Sequence, residues 1–276
     1  MIVTINSLVF GANTKLALSP PIQGLSIPPV RTSSGNYSGR DGGWLSSQFY
    51  SPREIVINGS VNGSTCAEAE AIACGLIEAL PIRTPLAFDF SPDTGDEYST
   101  EVYFIDIKMD IVSKKQIPFQ ITLVAPDPYF YKNSGAWIEE DIEKIVGGGY
   151  VTPYILPVEW DASSQPTIIN NPTNTDIFPQ IVLEGKFTNP RVANLTTGQF
   201  IQANVTTTDG DIIIFDLKER TITLNGGSIL PTRSGTWWGL VQGDNTIEFS
   251  SEGGDDDTSG IIRYRPAYSS VFEGVC

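Results

Sequence analysis

Short apolar runs that alternate every second residue, cut off by glycine and proline, constrain this chain more than any other feature. A strand puts successive side chains on opposite faces, so a half-buried strand reads as alternation bounded by residues that turn the chain. Such β-branched or alternating runs lie at residues 2–10, 54–61, 86–90, 101–112, 118–124, 180–183, 199–207, 212–215, 221–224, 246–249 and 261–264. The 26 glycines and 19 prolines sit between them as punctuation and form no repeat. Against these eleven runs stands one good helix. The expectation is an all-β protein, and 276 residues suffice for two domains with separate cores.

The helix is expected over residues 66–80. Thr65 is placed to cap it, with Glu68 three residues on to complete a capping box. Ala69, Ile72, Ala73, Leu76, Ile77 and Leu80 then form one apolar stripe, and Pro81 ends the helix. Such a helix either covers an open sheet face or offers the stripe to a partner. Of the three cysteines, Cys66 and Cys74 fall on it about 12 Å apart, beyond disulfide reach, and are read with Cys276 as small buried thiols.

A polar turn at Ser113-Lys114-Lys115-Gln116 joins two runs into a long hairpin, and Pro126 and Pro128 then end the ladder. Residues 1–134 are read as an N-terminal β domain with the helix. Residues 135–165, with Gly147-Gly148-Gly149, Pro153 and Pro157, are a connecting segment in which 137–146 forms a helical turn or two. Residues 166–276 are a β-sandwich, with an Asp209-Gly210 hairpin between two alternating runs and further turns at Asn225-Gly226-Gly227 and Gly243-Asp244-Asn245.

No histidine occurs among the 276 residues, which excludes Ser-His-Asp and Cys-His nucleophiles and His-ligated zinc. The formal charge is −15, from 17 basic and 32 acidic residues, and argues against an extended phosphate-binding surface. Residues 1–135 hold 9 basic and 13 acidic residues and the remainder 8 and 19, so most of the acid lies in the second half. The N-terminus lacks a basic segment followed by an apolar core, and no run nears 18 apolar residues, so a soluble cytoplasmic product with no signal peptide and no membrane insertion is expected.

The constellations that invite chemistry are weak. Glu101, Asp106 and Asp110 share one predicted strand, with Glu101 on the opposite face by parity, and read as solvated decoration more readily than as a glycosidase pair. Asp255-Asp256-Asp257 lacks the alternation of a calcium loop, and Gly147-Gly148-Gly149 has no following lysine to cradle phosphate. Trp237 and Trp238 invite sugar stacking, but neighbours on a strand point to opposite faces, so at most one can join a platform. Asn189-Pro190-Arg191 repeats part of the galectin sugar-binding signature, whose histidine is missing. No enzyme, no cofactor and no metal site is expected. The most distinctive segment is Arg40-Asp41-Gly42, then Tyr50 and Arg53-Glu54-Ile55-Val56-Ile57-Asn58-Gly59: a long polar loop running into a strand, read equally as an intrachain clamp or a subunit contact.

In order along the chain, Ile5-Asn6-Ser7-Leu8, Arg40-Asp41-Gly42, the Arg53 to Gly59 phrase, Pro118-Phe119-Gln120-Ile121 and Ala125-Pro126-Asp127-Pro128-Tyr129-Phe130 resemble the siphophage distal tail protein family, often called Dit. Asn170-Asn171-Pro172-Thr173-Asn174, Pro179-Gln180-Ile181, Ile212-Ile213-Ile214-Phe215-Asp216, Asn225-Gly226 and Gly243-Asp244-Asn245-Thr246-Ile247 extend the resemblance through the second half. The resemblance implies a ring-forming, tail-tube-like N-terminal β domain and a C-terminal galectin-like β-sandwich, without large carbohydrate-binding insertions. It implies a homohexameric hub at the virion tail tip, joining the tail-tube protein to a tail-associated or baseplate hub protein, with DNA only as cargo through the lumen and receptor-binding proteins as further partners of the second domain. Within it, residues 34–50 are expected to reach a neighbouring subunit, with Arg40, Asp41, Gly42, Tyr50 and Arg53 as interface candidates; Trp237 and Trp238 remain sugar-stacking candidates for the alternative of a carbohydrate-binding adhesin. A tail-tube subunit is the structurally nearer alternative.

Overall fold

A computed structural model describes the chain except for residue 94 and residues 110–114, 133–135, 146–164, 255–257 and 273–276. Two compact units result, Met1–Ala136 with Ala267–Cys276, and Trp137–Pro266, and both are built mainly of strands.

The first unit begins with the strands β1 (Ile2–Ile5), β2 (Leu8–Gly11) and β3 (Leu16–Leu18). Four short strands, β4 (Val30–Arg31), β5 (Ser34–Asn36), β6 (Gly43–Leu45) and β7 (Phe49–Tyr50), leave the sheet before β8 (Arg53–Asn62) rejoins it. After the helix α1 (Cys66–Glu78) come β9 (Leu86–Ser91), β10 (Tyr98–Met109), β11 (Gln116–Ala125) and β12 (Phe130–Lys132). The sheet order is β2-β1-β9-β10-β11-β8-β3, with β12 beside β10. All ten residues of β8 pair with all ten of β11, from Arg53 opposite Ala125 to Asn62 opposite Gln116. Alternation does the rest: Ile55, Ile57, Val61, Ile117, Phe119, Ile121 and Leu123 are buried in one cluster with Val3, Ile5, Phe88 and Phe90.

The helix packs against β8 and β11, through Ala69, Ala73 and Leu76. The stripe is narrower than its apolar residues suggest, because Ile72 is only half-buried and Ile77 is 45% exposed. The Thr65 hydroxyl accepts from the Glu68 N–H at 3.1 Å, as a capping box requires, but the Glu68 carboxylate accepts from Ser64 N at 2.8 Å and from Lys15 Nζ at 2.7 Å. These bonds hold the Glu68 carboxyl down from 4.5 to about 2, the Lys15 bond contributing most. The two described cysteines form no disulfide; Cys66 is half-buried, and Cys74 is exposed where a buried thiol was expected.

Strand β10 overturns the parity expected for its carboxylates. Its first half pairs with β9 and its second with β11, and between Phe104 and Asp106 the register slips by one residue. Ile105 is the extra residue and projects outward, 57% exposed. The slip returns both Glu101 and Asp106 to the exposed side; Asp110 lies outside the described residues, as do Ser113 and Lys114 of the expected turn.

The second unit opens with β13 (Ile138–Glu143), an edge strand paired with a later one, where a helical turn was expected. Its three exposed glutamates favour a helix by propensity, but only Ile142 is buried, and charged residues suit an exposed sheet edge. The strands β14 (Thr167–Asn171), β15 (Gln180–Glu184), β16 (Phe187–Thr188), β17 (Arg191–Asn194), β18 (Gln199–Ala203), β19 (Ile212–Asp216), β20 (Thr221–Leu224), β21 (Gly227–Ser228), β22 (Arg233–Gly235), β23 (Gly243–Ser250), β24 (Gly253–Gly254) and β25 (Ser259–Tyr264) come next. They form sheets β13-β25-β15-β19-β20-β21 and β14-β23-β17-β18-β22, with a small β16-β24 pair. Ile181, Leu183, Val192, Ile201, Phe215, Ile247 and Phe249 belong to their buried core. The Asp209-Gly210 turn is present, with Gly210 at φ +80°, but it carries the chain from β18 in one sheet to β19 in the other, so the expected hairpin is a crossover. Asn225-Gly226 makes the true two-residue hairpin, joining β20 and β21.

One end of these sheets is held by three buried asparagines. Asn171 donates to the carbonyls of Thr175 and Leu240 and accepts from the Thr173 N–H and hydroxyl. Asn194 donates to Asn245 Oδ1 at 3.0 Å and accepts from Thr196 N. Asn245 accepts from Val241 N and donates to the carbonyls of Val241 and Gly243. Asn171 and Asn245 of the resembling phrases, with Asn194, therefore latch loops onto strands, and the satisfied amides permit full burial. The chain then ends with β26 (Ala267–Tyr268), which pairs with β12 in the first unit, where residues 166–276 were expected to form a single domain. Of the expected connecting segment 135–165, residues 146–164 lie outside the described residues, with Gly147-Gly148-Gly149, Pro153 and Pro157.

Two substitutions probe these polar contacts. Asn245→Ala orphans several buried groups at once and is expected to lower unfolding stability by about 2–4 kcal/mol in urea titrations. A carboxyl depressed in the folded state contributes stability above its unfolded value and loses it as pH falls toward the folded one; Glu68→Gln is therefore expected to lower the urea midpoint at pH 7, with the gap to wild type closing as pH falls from about 4.5 to about 2.

Candidate assembly surface

Between β3 and β8 the chain has no core pattern of its own, and residues 28–51 pair chiefly with each other. Val30 and Arg31 face Tyr50 and Phe49, and Ser34, Gly35 and Asn36 face Leu45, Trp44 and Gly43. The rungs between are polar: Ser33 N donates to Ser46 Oγ at 2.9 Å and Ser46 N to Ser33 O at 2.8 Å. Near the tip Tyr37 N donates to Gly42 O at 3.1 Å. Gly35 has a steric reason, since a Cβ there would lie 2.8 Å from Trp44 Nε1; the indole rests on the bare backbone opposite. The expected loop is thus a hairpin arm.

The arm is apolar without being buried. Ile27, Val30, Trp44, Leu45 and Phe49 are between 47% and 62% exposed. A two-stranded hairpin is marginal alone in water, and grouped exposed apolar side chains mark a contact surface. Two cations lie on its aromatics, Arg40 over Tyr37 at 3.8 Å and Arg31 over Phe49 at 5.9 Å.

The root of the arm is polar and closed. Arg53 is 1% exposed. Its Nε and Nη2 donate to Pro128 O at 2.9 and 2.7 Å, Nη1 donates to the carbonyls of Gly24 and Ser26, and Nη2 reaches Ser269 O at 2.6 Å. The guanidinium also lies over the Phe130 ring at 4.3 Å. Burial pulls its pKa down to about 10, with Tyr50 and Asp127 acting the other way, so it stays charged at neutral pH. Beside it Ser270 Oγ and Val271 N donate to Leu25 O, which ties the returning C-terminal segment to the arm root.

The interface candidates therefore separate. Arg40, Asp41 and Gly42 are exposed together at the tip, where Gly42 turns with φ +93°. Tyr50 is half-buried at the root, edge-on to Tyr129 with ring centroids 5.9 Å apart. Arg53 cannot be an interface anchor: it is the intrachain clamp, because no donor is left for a partner once four carbonyls hold the fork. Sequence reasoning missed Val30, Trp44, Leu45 and Phe49. Their only signal is large apolar residues in a serine and glycine segment lacking any strand or helix period.

The candidate tryptophans and the galectin-like tripeptide are engaged within the second unit. Trp238 is 1% exposed within the sandwich core, so it cannot stack a sugar. Trp237 is half-buried, packed against that core and under Arg233 at 5.3 Å. Arg191 of the galectin-like tripeptide lies over Phe200 at 4.4 Å and pairs with Glu248 at 3.6 Å. Among the described residues no group of three acidic or cysteine side chains is placed to hold a metal, and Asp255-Asp256-Asp257 lies outside them. No described helix is long and apolar enough to cross a membrane.

Two further substitutions separate root from arm. Arg53→Met removes the donors from four carbonyls and is expected to cost about 3 kcal/mol or more; Arg53→Lys keeps the charge, loses the fork and is expected to cost about 2 kcal/mol, both read by urea unfolding. Gly35→Val is expected to dislodge Trp44 and raise its fluorescence accessibility to acrylamide while leaving the unfolding midpoint nearly unchanged.

Residues 171–268 match the family model described as siphovirus-type tail component, C-terminal domain. No curated protein matches the chain by sequence. Among solved structures, the Dit protein (gp 19.1) of phage SPP1, described as a hub of the adsorption apparatus of phages infecting Gram-positive bacteria, aligns over 95% of this chain and 97% of its own at 13% identity, with a TM-score of 0.69. The phage P2 baseplate in its activated conformation with calcium aligns over 95% and 97% at 11% identity, but its TM-score of 0.41 carries no weight. Residues 171–268 thus carry the sequence pattern of the C-terminal domain of siphovirus-type tail components, and over its length the chain has the fold of the SPP1 Dit protein.

Proposed function

We propose that the chain is a structural component of a siphophage tail, a distal hub that closes into a hexameric ring, joins the tail-tube protein to tail-associated or baseplate proteins, and leaves a channel through which DNA passes. The observation that carries this reading is the arm: a hairpin with an apolar, aromatic surface, held rigid at its root and left uncovered within the subunit. A closed cyclic ring repeats one heterologous contact, so each subunit needs a projecting patch and a different patch that receives it. The fold shared with the SPP1 Dit hub supports the same conclusion. The second unit, which carries most of the acidic excess, is the surface left for receptor-binding or other baseplate proteins. Buried Trp238 and covered Trp237 favour no saccharide platform.

Six subunits of 30.0 kDa give an assembly of about 180 kDa by native mass spectrometry or light scattering. Trp44→Ser with Phe49→Ser is expected to return the mass to that of one subunit without moving the urea midpoint, and Arg40→Ala with Asp41→Ala to weaken assembly less. A wild type that stays monomeric at every salt and protein concentration contradicts the ring.

A further inference from the structure

The ring reading leaves open which surface receives the arm, and the docking face assigned to it rests on that reading. We propose that the arm of one subunit docks on the outward face of β1, β2, β9 and β10 of a second copy, with its apolar residues over Ile2, Val9 and Ile105 and its two arginines toward Glu101 and Asp106.

Strand alternation builds that face. Val3, Ile5, Phe10, Phe88, Phe90 and Val102 turn into the core, so their neighbours turn out. In register, Val9 lies opposite Thr4, Thr4 opposite Asp89, and Asp89 opposite Ser99, which makes one continuous outward row. The solvent face of an antiparallel sheet is ordinarily polar. Here Ile2, Val9 and Ile105 stand 47%, 44% and 57% exposed on it. The bulge at Ile105 aims that side chain outward and brings Asp106 beside it.

Charge selects the same pairing. The arm, residues 28–51, carries Arg31 and Arg40 against the single acid Asp41, although the whole chain is −15. Residues 86–109 contain six acids against Lys108 alone. Asp93 pairs with the N-terminal ammonium and Asp96 with Lys132, whereas Asp89, Glu101 and Asp106 form no ion pair among the described residues. Burial first, and then Glu97, push the Asp89 carboxyl upward, so an arriving cation would relieve this face. A basic, aromatic arm thus meets an acidic face with apolar gaps, and every subunit carries one of each, as a heterologous ring demands.

Charge reversal in one chain is the test. Arg31→Glu with Arg40→Glu, and separately Glu101→Arg with Asp106→Arg, are each expected to raise the concentration for half-assembly about tenfold or more. All four changes together are expected to restore assembly, since reversed arms then meet reversed faces. If the face reversal assembles like wild type while the arm reversal does not, the arm docks elsewhere, and the proposal falls while the ring stands. A second measurement does not depend on altered charge: Leu45→Cys with Ile105→Cys, in a chain whose Cys66, Cys74 and Cys276 are serine, is expected to give a covalent ladder with a short bis-maleimide. An assembled ring without that ladder overturns the proposal, and a wild type that never assembles overturns the ring reading together with it.

Discussion

One buried guanidinium organises the first unit. Arg53 lies at the start of the longest strand pairing and gathers carbonyls from three separate stretches: the loop at Gly24 and Ser26, the turn at Pro128, and the C-terminal return at Ser269. None of these stretches has a core of its own, and each carbonyl would be costly to bury unpaired. Only arginine offers five donors in a fixed planar fork, so the site uses its geometry more than its charge. With its pKa lowered to about 10 the cation remains protonated at neutral pH, and carbonyl dipoles with the Phe130 face stand in for water. The consequence reaches function: an arm whose root is fixed presents its exposed aromatics in one direction, and less ordering is left to be done when it meets a partner.

The second unit uses the same device in neutral form. Asn171, Asn194 and Asn245 hold loops at the sheet ends through amide bonds to backbone and to one another, and the sandwich core supplies the rest. Buried polar groups in both units are positional; each fixes a segment that hydrophobic burial alone would leave undetermined. This also separates residues that resemble a functional motif from those left open to a partner. Asn171 and Asn245, Arg53 and Trp238 face inward, while the apolar arm residues, which belong to no motif, face out.

Alternation made the strands legible, because burying one face of a sheet imposes a period of two that needs no knowledge of partners. All eleven runs contain a strand, and the capped helix starts at Cys66 as read. What escaped was decided by contacts distant in sequence. The slip at Ile105 is invisible until β11 pairs with β10, and it reverses the parity of every later residue. Residues 137–146 read as a helical turn or two, yet a vacant edge beside β25 makes Ile138–Glu143 a strand. Asp209-Gly210 turns the chain as such a pair should, but β18 and β19 find different partners, so the turn becomes a crossover. The clamp was legible only as one of two readings: a phrase beginning with arginine gives no sign that Ser269, 216 residues later, will face it.

A hub built this way requires the clamped arm of the first unit to join copies of the chain around an axis. Electron cryo-microscopy of the assembled wild-type protein, at a resolution that traces strands, is the decisive measurement. The expected result is a closed ring around an open channel, with each arm leaving its root at Arg53 and lying across the first unit of its neighbour. Copies joined through their second units, or arms folded back onto their own subunits, would contradict it.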